Sequence, residues 1–440
     1  MKILIENVRV LDPKTDTDEI TGVYLEDGEV RLIGDYEEDG SSLDRRIDGT
    51  GLWLTPGLID PHVHLREPGF EHKETLETGS KSAAAGGFTT IACMPNTNPV
   101  LDHSKIISEL REKAEKQGIV EILPIGSITL AQKGEELADF QEYKKAGVVG
   151  VSEDGKSVLN AKMMKKAMTE AEKAQMPVLV HCEDLDLVDG GAMHEGPLSR
   201  KLGIKGIPSS AEDVITARDL ILGEETEARV HLCHMSTKGS VELLRNAKKK
   251  GLKASGEVSP HHLTLTVDEV DGVDTNTKMN PPLREKEDRE ALIEALIDGT
   301  IDMIATDHAP HTQQEKDTSY EKAPFGIVGL ETAVGVVLTE LYHGRKMTPL
   351  NLIGKMTSNP AKLLNLHKGN IEVGKIADLV LIDPEKEWSV KPEEFRSKSA
   401  NTPFKGKKLK GRVIMTIRNG KIIMEKGKIL KEFKGGIKDD

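Results

Sequence analysis

The rhythm of apolar and polar positions changes twice along this chain of 440 residues. Within residues 1–56 the alternation is short and strand-like, over Lys2–Val10, Val23–Leu25 and Val30–Ile33, with an Asp27-Gly28 turn between the last two. A period of two broken by Asp-Gly predicts half-buried strands and a hairpin. The middle of the chain differs. Short apolar runs there alternate with stretches whose apolar residues recur at three and four, such as Ser104–Lys116, Ala161–Ala174, Ala211–Leu222 and Lys286–Ile297. Strand texture then returns in Ala377–Ile382, Gly411–Ile417 and, across an Arg418-Asn419-Gly420 turn, Lys421–Met424.

Strand-then-helix units in series predict a parallel sheet with crossover helices. The strand runs are Gly57–Asp60, Thr89–Met94, Glu121–Gly126, Val148–Ser152, Val178–His181, Arg229–His234, Lys253–Val258 and Asp302–Thr306. Eight such units over about 300 residues fit a closed (β/α)8 barrel of the TIM type. The expected division is a barrel over 57–364, with 1–56 and 365–440 pairing beside it as a discontinuous β-sandwich domain.

Charge narrows the partners. Lys and Arg number 60 against 73 Asp and Glu, a net charge of −13. This argues against nucleic acid or an anionic membrane as the main partner, while leaving room for a local basic pocket. No window holds the ~20 apolar residues of a membrane span, and Met1–Val10 lacks the basic-then-apolar plan of a signal peptide. Cys93, Cys182 and Cys233 are few, odd in number and far apart, which fits a reducing compartment and a cytoplasmic protein.

In such a barrel the chemistry sits where strands end at the C-terminal mouth. Strand 1 delivers His62 and His64, strand 4 Asp154, strand 5 His181, strand 6 His234 and strand 8 Asp307. Two histidines two residues apart project from one side of a strand and can grip one divalent ion. Each residue alone has a plainer reading. His62 and His64 could be a hydrogen-bonded pair, His181 and His234 core histidines, Asp307 a helix cap and Asp154 the start of an Asp-Gly turn. Asp307 follows an apolar strand, where an unpaired carboxylate is costly, so a cation is expected nearby. Alternation places Cys182 and Cys233 facing the helices, as packing rather than ligands. His231 is expected on the opposite face or deeper than His234.

Asp60-Pro61-His62-Val63-His64-Leu65-Arg66-Glu67-Pro68 and Ala305-Thr306-Asp307-His308-Ala309-Pro310-His311 resemble the two signatures of the dihydroorotases, within the amidohydrolase superfamily. Between them, in the family's order, lie Met94-Pro95-Asn96-Thr97, His181-Cys182-Glu183-Asp184, His234-Met235-Ser236 and Met279-Asn280-Pro281-Pro282-Leu283-Arg284. The resemblance implies reversible, zinc-dependent cyclisation of N-carbamoyl-L-aspartate to (S)-dihydroorotate in pyrimidine biosynthesis. By the match, His62, His64 and Asp307 hold one zinc, His181 and His234 a second, and Asp154 bridges them. Asp307 is also the catalytic proton carrier. His64, Arg66, Asn96, Asn280, His311, Phe325 and Gly326 contact the substrate, and the polar loop Thr312–Pro324 acts as a mobile lid.

Strand 4 reads Val148-Val149-Gly150-Val151-Ser152-Glu153-Asp154, without the lysine that many superfamily members carbamylate. The shorter aspartate bridge leaves one zinc as the alternative to two. His261 and His262 follow Pro260 at the end of strand 7 and are expected to be structural. The resemblance further implies a homodimer and a possible association with aspartate transcarbamoylase. Two rivals stand beside it: another cyclic amidase, hydantoinase or allantoinase, and an inactive scaffold paralogue for that transcarbamoylase.

Overall fold

Every one of the eight expected runs carries a strand in the computed structural model, which describes residues 1–37 and 42–430. Residues 38–41 and 431–440, both assigned above to the end domain, lie outside the described residues. The barrel strands are Leu58–Val63, Phe88–Cys93, Glu121–Ser127, Gly150–Ser152, Val178–Val180, Val230–Leu232, Ala254–Val258 and Met303–Ile304. They lie side by side in chain order, each parallel to the next. The seam between the last and the first closes differently. A single parallel bridge joins Val63 to His308, His64 N donates to His308 O at 2.8 Å, and the Asp60 carboxylate accepts from Thr306 N and His62 N at 3.2 and 3.1 Å.

Strand alternation sorts the apolar residues into two sets. Ile91, Val151, Val178, Val180, Val230 and Leu232 pack with Leu110, Met164, Leu220 and Leu244 of the surrounding helices. Their neighbours Ala92, Ile125, Leu179 and Met303 face inward and meet Leu363 and Leu364. The helices run Ser104–Gln117, Ala161–Ala174, Ser210–Thr226 and Lys286–Asp298 where apolar periodicity placed them. None among the described residues is long and apolar enough to cross a membrane.

Both chain ends build one nine-stranded sheet that branches at its first strand. Lys2–Asp12 pairs antiparallel with Thr17–Glu26 along one edge. Its other edge takes Arg45–Asp48 and Trp53–Pro56, both parallel. Trp53–Pro56 then pairs with Leu379–Ser389, which continues the sheet into Lys408–Arg418 and Lys421–Glu425. The hairpin from Lys408–Arg418 into Lys421–Glu425 turns at Asn419 and Gly420 with φ of 50° and 66°, the left-handed pair that a two-residue hairpin loop requires. Ile3, Ile5, Val23, Leu54, Leu379 and Ile417 form the core of this sheet, separate from that of the barrel.

One C-terminal stretch leaves the sheet and returns to the barrel mouth. Val390 and Phe404 pack with Met279, Tyr320 and Ile327. Asn401 Nδ2 donates to Gly326 O and Ala309 O at 3.0 and 3.3 Å, and its Oδ1 accepts from His311 N at 3.1 Å.

Candidate active site

A pocket of about 240 Å³ opens at the C-terminal mouth, lined by strand ends and the loops that follow them. His64, Arg66, Asn96, Asp154, His181, His234, Asn280, Asp307, His311, Phe325 and Gly326 all border it. His62 lies beneath its floor, fully buried. The residues singled out from the sequence thus meet in one place, although they come from eight separate segments of the chain.

The hydrogen bonds around the histidines fix which ring nitrogen faces the centre. His62 Nδ1 lies 2.6 Å from Glu257 Oε1, so it carries the hydrogen and Nε2 is left as a lone pair. His64 Nδ1 is 3.0 Å from Asn96 Oδ1, and His181 Nε2 is 3.2 Å from Glu183 Oε2. In these three the outer nitrogen is tied to an acceptor, which turns the inner lone pair toward Asp154, whereas the outer Nδ1 of His234 is buried without a partner. His62 Nε2 stands 3.3 Å from Asp154 Oδ1, and His64 Nε2 stands 3.4 Å from Asp154 Oδ2 and 3.2 Å from Asp307 Oδ1. His181 Nδ1 and His234 Nε2 are 2.8 Å apart, each 3.7 Å from Asp154 Oδ1.

Lone pairs facing carboxylate oxygens in a dry site repel unless a cation lies between them. His62 Nε2 and Asp154 Oδ1 are indeed buried atoms without a hydrogen-bond partner. Burial opposes a charge on His62, yet Glu257 and Asp154 on its two sides outweigh that and raise its pKa well above the ordinary value. Burial likewise works against an ionised Asp154, but His62, His234 and His64 hold it well below the usual carboxylate range. For Asp307, burial is again outweighed, by His64, His62 and His234, and its pKa falls to about 2. A field that stabilises a proton at this point also stabilises a metal ion. His62, His64 and Asp307, and likewise His62, Asp154 and His234, bring ligand atoms within 4.8 Å of one another. Nitrogen and carboxylate donors with oriented outer nitrogens suit zinc chemistry.

Two supporting carboxylates escaped the sequence reading. Glu257, fully buried, accepts from His62 and also from His231 Nε2 at 3.0 Å. His231 is therefore deeper on the inner face, one of the two positions expected for it. The signal for Glu257 was weak, since its strand reads Ala254-Ser255-Gly256-Glu257-Val258 and a carboxylate does not stand out there as Asp307 does after an apolar strand. Glu183 joins His181 to Asn280, whose Nδ2 donates to its Oε1 at 2.9 Å. One expectation is corrected. Cys182 packs outward with the helices, but Cys233 faces inward among Leu179 and Met303 and close to His62 and Glu257. In strand 6 the inward phase is His231 and Cys233. His234 follows past the strand end with φ of 31°, so counting alternation back from it inverted the phase.

The opposite wall of the pocket is cationic. Arg66 Nε donates to Pro310 O at 3.2 Å, and its guanidinium lies 3.3 Å from His311 Nε2. Burial lowers the Arg66 pKa to about 10. The loop after His311 is tied down by two lysines. Lys316 Nζ donates to Thr275, Lys278 and Pro324 carbonyls at 2.8 to 3.2 Å. Lys278 Nζ donates to Tyr320 and Glu321 carbonyls at 2.8 Å and lies 4.4 Å from the centre of the Phe325 ring. In this conformation the loop is braced by Lys316 from within and by Lys278 from outside it. His261 and His262 are buried behind the site, with His262 between Ser259 Oγ at 2.7 Å and Pro281 O at 3.0 Å.

Comparison with known proteins agrees with this geometry. The family described as Dihydro-orotase-like matches residues 51–240, and one described as Amidohydrolase family matches 326–424. A dihydroorotase of Pelotomaculum thermopropionicum is 51% identical over 97% of this chain and 99% of its own length. That of Ruminiclostridium cellulolyticum is 47% identical over 98% and 100%. Among solved structures, the L-hydantoinase (dihydropyrimidinase) of Arthrobacter aurescens superposes with a TM-score of 0.89 at 26% identity, covering 99% of this chain and 98% of that one. The dihydropyrimidinase of Brevibacillus agri gives 0.86 at 26% identity over the same shares. The barrel is thus common to several cyclic amidases, whereas identity of about half the residues over nearly the full length places the chain in the dihydroorotase family.

Proposed function

We propose that this chain catalyses the reversible cyclisation of N-carbamoyl-L-aspartate to (S)-dihydroorotate and water, a step of pyrimidine biosynthesis. The observation that carries this reading is the pocket's polarity. A histidine–carboxylate cluster fills one side, and Arg66 with His311 stands across from it, where a substrate carboxylate would be bound. Asn96 and His64 border the same space, and Asn280, Phe325 and Gly326 form the wall for the amide or carbamoyl end.

His62, His64 and Asp307 would hold one zinc ion, His181 and His234 a second, and Asp154 would lie between them. Such ions supply a Lewis acid and acidified water at neutral pH. Asp307, with a pKa of about 2, is ionised at neutral pH and ready to accept a proton. In hydrolysis it takes the proton of the attacking water and delivers it to the ring nitrogen as the C–N bond breaks. In cyclisation it removes the proton from the carbamoyl nitrogen as that bond forms and returns it to the carboxyl oxygen, which leaves as its C–O bond breaks and takes a second proton from solvent to become water. Asn280, fixed by Glu183, orients the amide for both directions.

The chain assembles as a homodimer in this reading. The helix Ser210–Thr226 supports it by leaving Val214 49% and Ile221 63% exposed on its outer side. A cytoplasmic location fits three free buried cysteines. Association with aspartate transcarbamoylase is the remaining part of the proposal, since that enzyme makes the substrate. The decisive experiment is turnover of dihydroorotate, hydantoin and allantoin by zinc-loaded protein. Activity on dihydroorotate is expected; activity on hydantoin or allantoin without it would replace the proposal with the neutral-substrate reading.

A further inference from the structure

His311 receives two conflicting demands at Nε2. The Phe325 carbonyl oxygen, 2.8 Å away, can only accept and calls for a hydrogen there. The Arg66 Nη2 group, 3.3 Å away, can only donate and calls for a lone pair. A neutral imidazole has one of each, so the partner at Nδ1 decides between them. His311 is kept neutral: burial, with Arg66, Lys73 and Lys316 nearby, lowers its pKa to about 2.

Two groups face Nδ1: Lys73 Nζ at 3.4 Å, and Glu315 Oε2 at 3.8 Å, which is beyond hydrogen-bond distance and already accepts from Thr312. An ammonium only donates, so it selects the lone pair at Nδ1 and the hydrogen at Nε2. Lys73 is held in turn by Glu315 Oε1 at 2.9 Å. Glu315 Oε2 accepts from Thr312 N and Oγ1 at 3.0 and 3.1 Å, which anchors the carboxylate at the start of the helix Gln313–Lys316. We propose that Lys73, oriented by Glu315, is a positioning residue that fixes His311 as its Nε2–H tautomer. With that hydrogen donated to the Phe325 carbonyl, His311 offers Arg66 no acceptor at Nε2, and the Arg66 Nη2 group is left free to donate to a carboxylate. In the other tautomer His311 accepts from Arg66, and that donor is withdrawn from the ligand. This role rests on the acidic substrate proposed above, but the tautomer itself exists without substrate.

Lys73→Met, Lys73→Arg and Glu315→Gln test it. In ligand-free protein labelled with ¹⁵N-histidine, long-range ¹H–¹⁵N spectra report the His311 tautomer, with the signals assigned by their loss in His311→Gln. The unaltered chain should show neutral Nε2–H, Lys73→Met a shift toward Nδ1–H, Glu315→Gln a smaller shift the same way, and Lys73→Arg restoration. With dihydroorotate, Lys73→Met should raise KM about tenfold or more and leave kcat within about twofold. An unchanged His311 spectrum in Lys73→Met overturns the positioning role whatever KM does. Failure of the unaltered chain to turn over dihydroorotate overturns only the substrate reading.

Discussion

Replacing Glu257 by Gln tests how the floor of the site is organised. The carboxylate accepts three donors: His62 Nδ1 at 2.6 Å, His231 Nε2 at 3.0 Å and His234 N at 3.3 Å. Glutamine offers one accepting oxygen and one NH2 group, so whichever way the amide turns, an N–H meets a ring N–H. Either His62 or His231 must then lose its bond or change tautomer. A hydrogen bond to a charged acceptor is worth about 1.5–3 kcal/mol. If His62 changes tautomer, its lone pair leaves the metal site altogether. Supporting residues of this type typically contribute about 10- to 100-fold in metal affinity or activity, and that range is expected here. Zinc affinity would be measured by competition with a chromophoric chelator, alongside kcat/KM and the thermal midpoint of the metal-free protein. Zinc affinity and kcat/KM both within about twofold of the unaltered chain would refute the idea that Glu257 sets the His62 tautomer.

Further outcomes follow from the same geometry. Asp307→Ala should fold normally and lose at least about 10²-fold in kcat, measured with dihydroorotate, because both a ligand and the proton carrier are removed; near-normal turnover would end the proton-carrier role. Chelator treatment should abolish activity and lower the thermal midpoint, and added zinc should restore both, since a ligand bound only by the native state stabilises it. Glu331 is half-buried beside Ser82 and accepts from Arg396 N and Ser397 N, and desolvation pushes its pKa up to about 7. A carboxyl raised in the fold costs nothing when protonated and is penalised progressively as pH rises from about 4.5 to 7, by roughly 3 kcal/mol at most. Glu331→Gln should therefore melt near the unaltered chain at pH 4.5 and increasingly above it toward pH 8, and a gap that stays constant across that range would contradict this. Asn401→Ala removes two donors to Gly326 and Ala309 carbonyls; KM for dihydroorotate should rise several-fold while zinc content stays unchanged.

The barrel was readable because its strands are apolar runs bounded by periodic helices, and that pattern is local. The six candidate ligands were readable for a related reason: they sit at strand ends, a position that topology assigns before any contact is known. Glu257 went unread because it lies within its strand and not at the end, and because Ser255 and Gly256 beside it leave no apolar run for a carboxylate to interrupt. Cys233 was misplaced because His234, taken as the reference for alternation, has already left the strand. Lys73 and Asn401 had no local signature at all. Their positions depend on loops far apart in sequence meeting at the mouth, and only the folded chain shows Lys73 against His311 or Asn401 against Gly326.

That last contact bears on how the protein comes into being. A chain leaving the ribosome contains all six candidate ligands once Asp307 has emerged, yet Asn401 must still follow before His311, Ala309 and Gly326 are pinned. At about 5–20 residues per second, the interval is roughly 5–20 s. During it the nascent polypeptide has every group needed to capture metal and lacks the brace that shapes the carboxylate end. On the proposed function, a product terminated between these two points would carry the candidate metal ligands without the brace of the substrate end, so completion of the C-terminal segment would turn a metal-binding polypeptide into an enzyme.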